Sequence, residues 1–180
     1  MSQKKVLMDS LKINNVLNRI TDEILTQYND LSSIAVIGIQ TGGAHLARRI
    51  VNIIKSKKGH DVELGIVDIT LYRDDITLDK DQPIVKKTSI PFKISGKTII
   101  LVDDVLYTGR TVRAALDAVI DFGRPQAIRL AVMIDRGLRE FPIRPDYIGE
   151  TICTCPSDNV AFVFTEDAAD EDMAVLEMGE

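Results

Sequence analysis

The stretch IILVDDVLYTGRT, residues 99–111, joins an apolar run to two adjacent carboxylates and then to a small, hydroxylated, glycine-bearing turn. Thr98 to Val102 reads as a buried strand. Asp103 to Thr111 reads as the turn after it. Val112, Ala115, Leu116, Val119 and Ile120 then mark one face of a helix, closed near Gly123 and Pro125. A helix start leaves backbone N–H groups unpaired and carries partial positive charge, so it takes a phosphate readily. Gly109 lets the backbone come close, and the hydroxyls of Thr108 and Thr111 can donate. Asp103 and Asp104 cannot partner a phosphate. They suit the vicinal hydroxyls of a sugar, with Mg²⁺ as an additional partner. A phosphate site and a diol site a few residues apart describe a ribose 5-phosphate. An acidic cap on an ordinary helix accounts for one acid, but not for two acids followed by Thr-Gly-Arg-Thr. Neither GxxxxGK[ST] nor GxGxxG occurs.

Working outward, Ile13, Leu17, Ile20, Ile24 and Tyr28 form a helical stripe with Asp9 or Ser10 available as its cap. Ile34 to Ile39 is a short β-branched run, ending in Gln40-Thr41-Gly42-Gly43. Leu46, Ala47, Ile50 and Ile54 mark the next helix, giving the front half of a βαβ unit. Val62 to Leu71 reads as a strand, and Tyr72 to Pro91 as a long polar loop, a length usually tied to function or mobility. Ala127 to Ile134 is another buried strand, and Val160 to Phe164 a candidate edge strand. Strands alternating with helices predict an α/β fold, a mostly parallel sheet flanked by helices, in one domain over residues 1–180.

The chain has 180 residues, 45% hydrophobic and 27% charged, enough to bury a core without disulfides. No apolar run is long enough to span a bilayer, and the start lacks the pattern of a signal peptide, so a cytoplasmic location is expected. Residues 166–180 carry seven acids and no Lys or Arg, which reads as an acidic tail. Without them, 22 bases face 20 acids, a body of about +2 that is not by itself a nucleic-acid binder's charge. Cys153 and Cys155 read as reduced, structural cysteines on one strand face. His45 and His60 read as structural or solvated, and Lys55, Lys57 and Lys58 as a solvated helix end.

Residues 99–111 resemble the phosphoribosyl-pyrophosphate (PRPP) signature of the type I phosphoribosyltransferases, a fold with a small hood. With DITLYRDD (68–75), DDVLYTGRTVR (103–113) and DRGLREFPIR (135–144), the chain is similar over nearly its whole length to the PyrR family. These are bacterial pyrimidine-operon attenuation regulators that also have uracil phosphoribosyltransferase activity.

The resemblance implies the reaction uracil + PRPP → UMP + pyrophosphate, with Mg²⁺ accompanying PRPP. It places Asp103, Asp104, Val105, Leu106, Tyr107, Thr108, Gly109, Arg110 and Thr111 around the ribose phosphate, Asp103 and Asp104 also near the metal. Gln40, Thr41, Gly42 and Gly43 become the pyrophosphate loop, and Tyr72, Arg73 and Asp74 a flexible loop closing over PRPP. Arg73, with Asp104, is the catalytic candidate; a solvated loop arginine is the competing reading. The base would pack near Met133, Ile134, Asp135 and Arg136, with Asp135 bonding either Arg136 or the base. Purine-type relatives tend to carry an acid where this chain has Tyr107. UMP or UTP would act as effectors and the pyr leader mRNA as partner, bound through Arg19, Arg139 and Arg144, by a homodimer or homotetramer. Surface ion pairs of Arg139 with Glu140 and of Arg144 with Asp146 are the alternative reading.

Two departures stand out. Family members commonly have a basic residue, Thr, Arg and Gly where this chain has Gln40-Thr41-Gly42-Gly43, and each lost charge-assisted contact weakens PRPP binding by about 1.5–3 kcal/mol. Asn18, Asp22, Leu138 and Glu150 stand where RNA-binding members tend to have Thr, His, His and Lys, so two changes add negative charge. A nucleotide-binding regulator or homologue with weak or no catalysis and weak RNA binding is therefore the alternative function.

Overall fold

Short β-branched runs and amphipathic helices alternate along the chain, and each apolar face finds a partner. The computed structural model describes residues 4–70 and 88–179. Its elements in chain order are β1 (Lys4–Met8), α1 (Ser10–Gln27), β2 (Ile34–Ile39), α2 (Gly42–Lys58), β3 (Glu63–Val67), β4 (Thr98–Leu106), α3 (Arg110–Ile120), β5 (Ala127–Asp135), β6 (Tyr147–Thr151), β7 (Asn159–Val163) and β8 (Met173–Glu177). Asp9 caps α1 by accepting from the Lys12 amide. Gly59 ends α2 in the left-handed conformation behind Lys55, Lys57 and Lys58, where cations complement the helix dipole.

Five strands form a parallel sheet in the order β3-β2-β4-β5-β6. Alternate residues serve opposite faces. Val36, Ile100, Val102 and Met133 pack under α1 and α2, whereas Ile37, Ile99, Leu101 and Val132 pack under α3. The strand order turns around between β2 and β4, so the crevice beyond their carboxyl ends is the natural ligand position. The turns leaving those strands are Gln40–Gly43 and Tyr107–Thr111.

Several expectations need correction. The strand predicted for residues 98–102 runs on to Leu106, so Asp103 and Asp104 lie on β4, paired with β5, and the turn begins at Tyr107. The strand predicted from residue 62 ends at Val67. There the Asp68 carboxylate captures the Thr70 amide and hydroxyl in a local turn that competes with the ladder. Residues 71–87, including the predicted Tyr72–Asp74 loop, lie outside the described residues.

The acidic stretch is not a free tail. Its β8 is the central strand of an antiparallel sheet, β1-β8-β7, which is the hood, and it buries Ala174 and Leu176 against the main core. Val160 to Phe164 contributes the hood's edge strand β7. Arg49 on α2 holds this segment through Asp172 (2.6 Å) and Glu166 (2.5 Å), and His45 reaches Asp167 at 3.1 Å. Both cysteines are free and exposed in the β6–β7 loop, not on a strand. Among the described residues no helix is long and apolar enough to cross a membrane.

Candidate functional site

Two cavities meet at the carboxyl ends of β2 and β4. The first, about 330 Å³, is lined by Gln40, Thr41, Gly42, Asp68, Ile69, Thr70, Asp103, Asp104, Val105 and Thr111. The second, about 360 Å³, is lined by Val105 to Val112 and Glu140. Val105 and Thr111 line both, so a single ligand can reach from one into the other.

The second cavity wraps the start of α3. Gly109 sits at φ +93°, in the left-handed region, and offers no side-chain cap; the Thr108 hydroxyl accepts from the Arg110 amide only at 3.4 Å. Its first-turn N–H groups are thus presented to an anion. The turn is braced from behind. The amides of Glu140 and Phe141 donate to the Thr108 carbonyl, and Arg139 donates to the Tyr107 carbonyl at 2.7 Å. Arg136 stacks on the Tyr107 ring at 4.0 Å while donating to the Thr154 hydroxyl and the Cys155 and Asp158 carbonyls. Arg110 is paired with Glu140 (2.5 Å) on the cavity's own wall, which leaves the backbone as the anion's main contact.

The first cavity is acidic. Asp103 is almost fully buried, and burial, followed by the charge of Asp104, pushes its carboxyl well above the usual range. Burial raises Asp104 too, against the opposing hydrogen bond from the Val105 amide at 2.7 Å. The start of α2 packs directly on this pair. A Cβ on Gly43 would collide with the Val102 carbonyl, so only glycine fits there, whereas one on Gly42 would require the Asp104 carboxylate to move. Among the described residues no Lys or Arg lines this cavity.

Sequence reasoning overlooked Asp68 as a wall of this cavity. The Asp68 side chain is buried at 7% exposure, and its Oδ2 has no hydrogen-bond partner. Its signal was positional: an acid just past a strand end, next to the strand that opens the crevice. Acids without a side-chain cation beside them suit a divalent metal, although among the described residues no three form a ready-made cage.

Not every predicted residue reaches the crevice. Met133 and Ile134 are buried in the core of a strand paired on both sides, and none of residues 133–136 lines either cavity. Asp135 does not bind Arg136; it accepts from the Gly137 amide (2.8 Å) and from Arg139 (2.6 Å) on the wall of a separate cavity. The pairs proposed for Arg139 and Arg144 are rearranged, since Arg110 takes Glu140 and Arg129 takes Asp146. Arg144 lines a separate, apolar cavity of about 470 Å³ with Phe141, Pro142 and Ile143. Arg19 pairs with Glu23 and donates to the Ile148 and Gly149 carbonyls, on a groove shared with Asn18 and Asp22.

A family model described as phosphoribosyl transferase domain matches residues 7–170. The chain is 46% identical over 178 residues to the bifunctional protein PyrR of Pelotomaculum thermopropionicum, covering 99% of this chain and 98% of that one. It is 51% identical over 154 residues to the bifunctional protein PyrR of Acetivibrio thermocellus, covering 86% and 84%. Among solved structures, the hypoxanthine phosphoribosyltransferase of Trypanosoma cruzi in complex with the product IMP superposes with a TM-score of 0.70 at 14% identity, covering 98% and 91%. A hypoxanthine-guanine phosphoribosyltransferase of Bacillus anthracis gives 0.65 at 21% identity, covering 88% and 87%. At these identities the structural likeness is one of fold.

Proposed function

The chain belongs to the phosphoribosyltransferase-domain family, in its PyrR branch, and from that premise we propose how the paired cavities work. The protein is a cytoplasmic uracil phosphoribosyltransferase, forming UMP and pyrophosphate from uracil and PRPP, and a uridine-nucleotide-dependent regulator of pyrimidine operon expression through mRNA. The observation that carries the site assignment is the sharing of Val105 and Thr111 by an anion-binding helix start and an acid-lined cavity. A ribose 5-phosphate spans that distance with its phosphate on residues 107–111 and its hydroxyls on Asp103 and Asp104.

The chain's own contributions are positioning and electrostatics. Backbone amides at the start of α3 fix the 5-phosphate. The Asp103 and Asp104 carboxylates accept from the ribose hydroxyls, and their negative charge favours the positive charge that develops on the sugar as the leaving group departs. Tyr107, held on Arg136, lines the phosphate cavity, and the resemblance alone puts the base near Met133 to Arg136. Mg²⁺ bound with PRPP supplies charge neutralisation for the departing pyrophosphate, and Asp103 and Asp104 are the residues that would stand nearest it. Arg73 stays a candidate partner for that leaving group on the strength of the resemblance alone. Radiolabelled uracil with Mg²⁺ and millimolar PRPP should give UMP, and no product at that concentration would sink the transferase reading.

One observation favours a second reading, a regulator that binds UMP or UTP with little turnover: the Gln40–Gly43 turn offers no side-chain cation to pyrophosphate. Calorimetric titrations separate the two, because this regulator binds UMP much more tightly than PRPP. The regulatory role itself is tested by a gel shift with the leader RNA of the protein's own pyrimidine operon, with and without UMP. Assembly as a homodimer or homotetramer is checked by light scattering.

A further inference from the structure

We propose that Asp68 directly ligates a divalent cation in the acid-lined cavity, where the ion replaces the side-chain cation missing from the Gln40–Gly43 turn. The inference rests on the reading of this cavity as the pyrophosphate end of the site.

Asp68 is held as a ligand would be. Its amide donates to the Thr88 hydroxyl at 3.0 Å, and its Oδ1 accepts from the Thr70 amide at 2.9 Å and the Thr70 hydroxyl at 2.6 Å. Those bonds fix the carboxylate while leaving the buried Oδ2 with no donor. A buried carboxylate oxygen without a partner is costly, and nearly all such atoms in folded proteins are satisfied by protein, water or ligand. Asp103 and Asp104, which share the cavity, are also acids, and no side chain of its lining donates to this atom. A cation in the cavity relieves it.

The ion's character follows from the same geometry. No three acidic, His or Cys side chains among the described residues form a ready-made cage. Calcium prefers six to eight oxygen ligands, whereas magnesium keeps most of its waters and takes one or two carboxylates beside substrate phosphates. A hydrated Mg²⁺-class ion on Asp68 fits this arrangement. It would sit in the cavity that Asp68 shares with Asp103 and Asp104, and would hold its place before any nucleotide arrives.

Mn²⁺ replaces Mg²⁺ as the probe, and free Mn²⁺ is read by electron paramagnetic resonance on nucleotide-free protein. We expect about one Mn²⁺ per chain, and at least a tenfold loss of affinity in Asp68→Asn, whose amide oxygen keeps the two Thr70 bonds. UMP affinity without metal is measured by calorimetry on both proteins, as the separate readout of the nucleotide site. Equal Mn²⁺ binding by both proteins, or none by the parent, overturns the proposal. Anomalous diffraction from Mn²⁺ in crystals of the unaltered protein gives an independent check should the variant fail to fold. An ion on Asp103 or Asp104 alone, away from Asp68, overturns it as well. If neither protein binds UMP while Asp68-dependent Mn²⁺ binding persists, the nucleotide reading fails and the cation site stands.

Discussion

Asp103 illustrates how a single residue trades stability for ligand binding. Its carboxyl titrates well above the ordinary range in the folded protein because burial and Asp104 penalise its charge. The unfolded chain therefore releases this proton first as pH rises, and native stability falls from the ordinary aspartate range up to the folded value. Asp103→Asn keeps the acceptor for the Asp104 amide and removes the charge. It should raise stability at pH 7 by at least about 1 kcal/mol, some 2–4 °C in Tm, and change little at pH 3. UMP affinity should drop at least about tenfold, a loss of roughly 1.4 kcal/mol. Thermal melts at both pH values check the first part, and equal shifts at pH 7 and pH 3 would contradict it. Gly109 is the backbone counterpart. Gly109→Ala must hold φ +93° with its new Cβ 3.3 Å from Phe141, so UMP affinity should fall along with stability. Gly59→Ala, at φ +64° in open space, should cost about 1 kcal/mol of stability and leave UMP binding intact. Gly109 was legible in the sequence because turn and helix start are local. Asp68 was not, because its lack of a partner depends on what three separate strands bring around it.

At the scale of elements, legibility followed the same division. The stripes of α1, α2 and α3 and the apolar strands β2, β4 and β5 could be read, since each declares its period locally. β1, β6 and β8 could not. Each has only five residues, and the burial of Ala174 and Leu176 is decided by distant partners in the hood. Composition even pointed the wrong way for residues 166–180, whose acids suggested solvated chain although Arg49 and His45 answer three of them. Hydrogen bonds from Arg49 hold Asp172 and Glu166 below their ordinary pKa values. Folded values below unfolded ones mean stability that is present above the unfolded range and lost as pH falls through the folded one. Asp172→Asn should therefore cost about 1–2 kcal/mol at pH 7, discounted for the partly open pair, and the gap should close by about pH 2. Urea denaturation across that range measures it. A constant gap would assign the role of Asp172 to its bond with the Thr165 amide instead.

Across the whole molecule, the strand order places two helix-leading turns at one crevice, and this much followed from the α/β pattern and the position of the acids. The charge distribution needed the structure. Removing residues 166–180 from the tally suggested a mildly basic body, yet several of those acids are bound to the body's own cations. On the α1 face the reverse holds. Asp22 and Glu150, which look repulsive to RNA in the sequence, are paired with Lys57 at 2.7 Å and Lys12 at 2.8 Å. Each pair leaves that edge nearly neutral, so the penalty to RNA lies in two occupied lysines more than in two bare acids. Replacing the acids with neutral isosteres should free both lysines for phosphates. The double variant Asp22→Asn/Glu150→Gln should bind the leader RNA about tenfold more tightly at low salt, and each new phosphate contact should steepen the salt dependence of log K by about 0.7. Two contacts predict a slope change near 1.4 in total by that rule, with the gain fading as salt rises. Arg19→Ala should weaken binding in either background, because Arg19 stands on the same face as both lysine pairs. Filter binding over a salt series distinguishes this from a simple loss of repulsion, which would raise affinity with a smaller change in slope. An unchanged affinity and slope in the double variant would remove the α1 face from the RNA interface and leave the nucleotide crevice as the molecule's only proposed binding function.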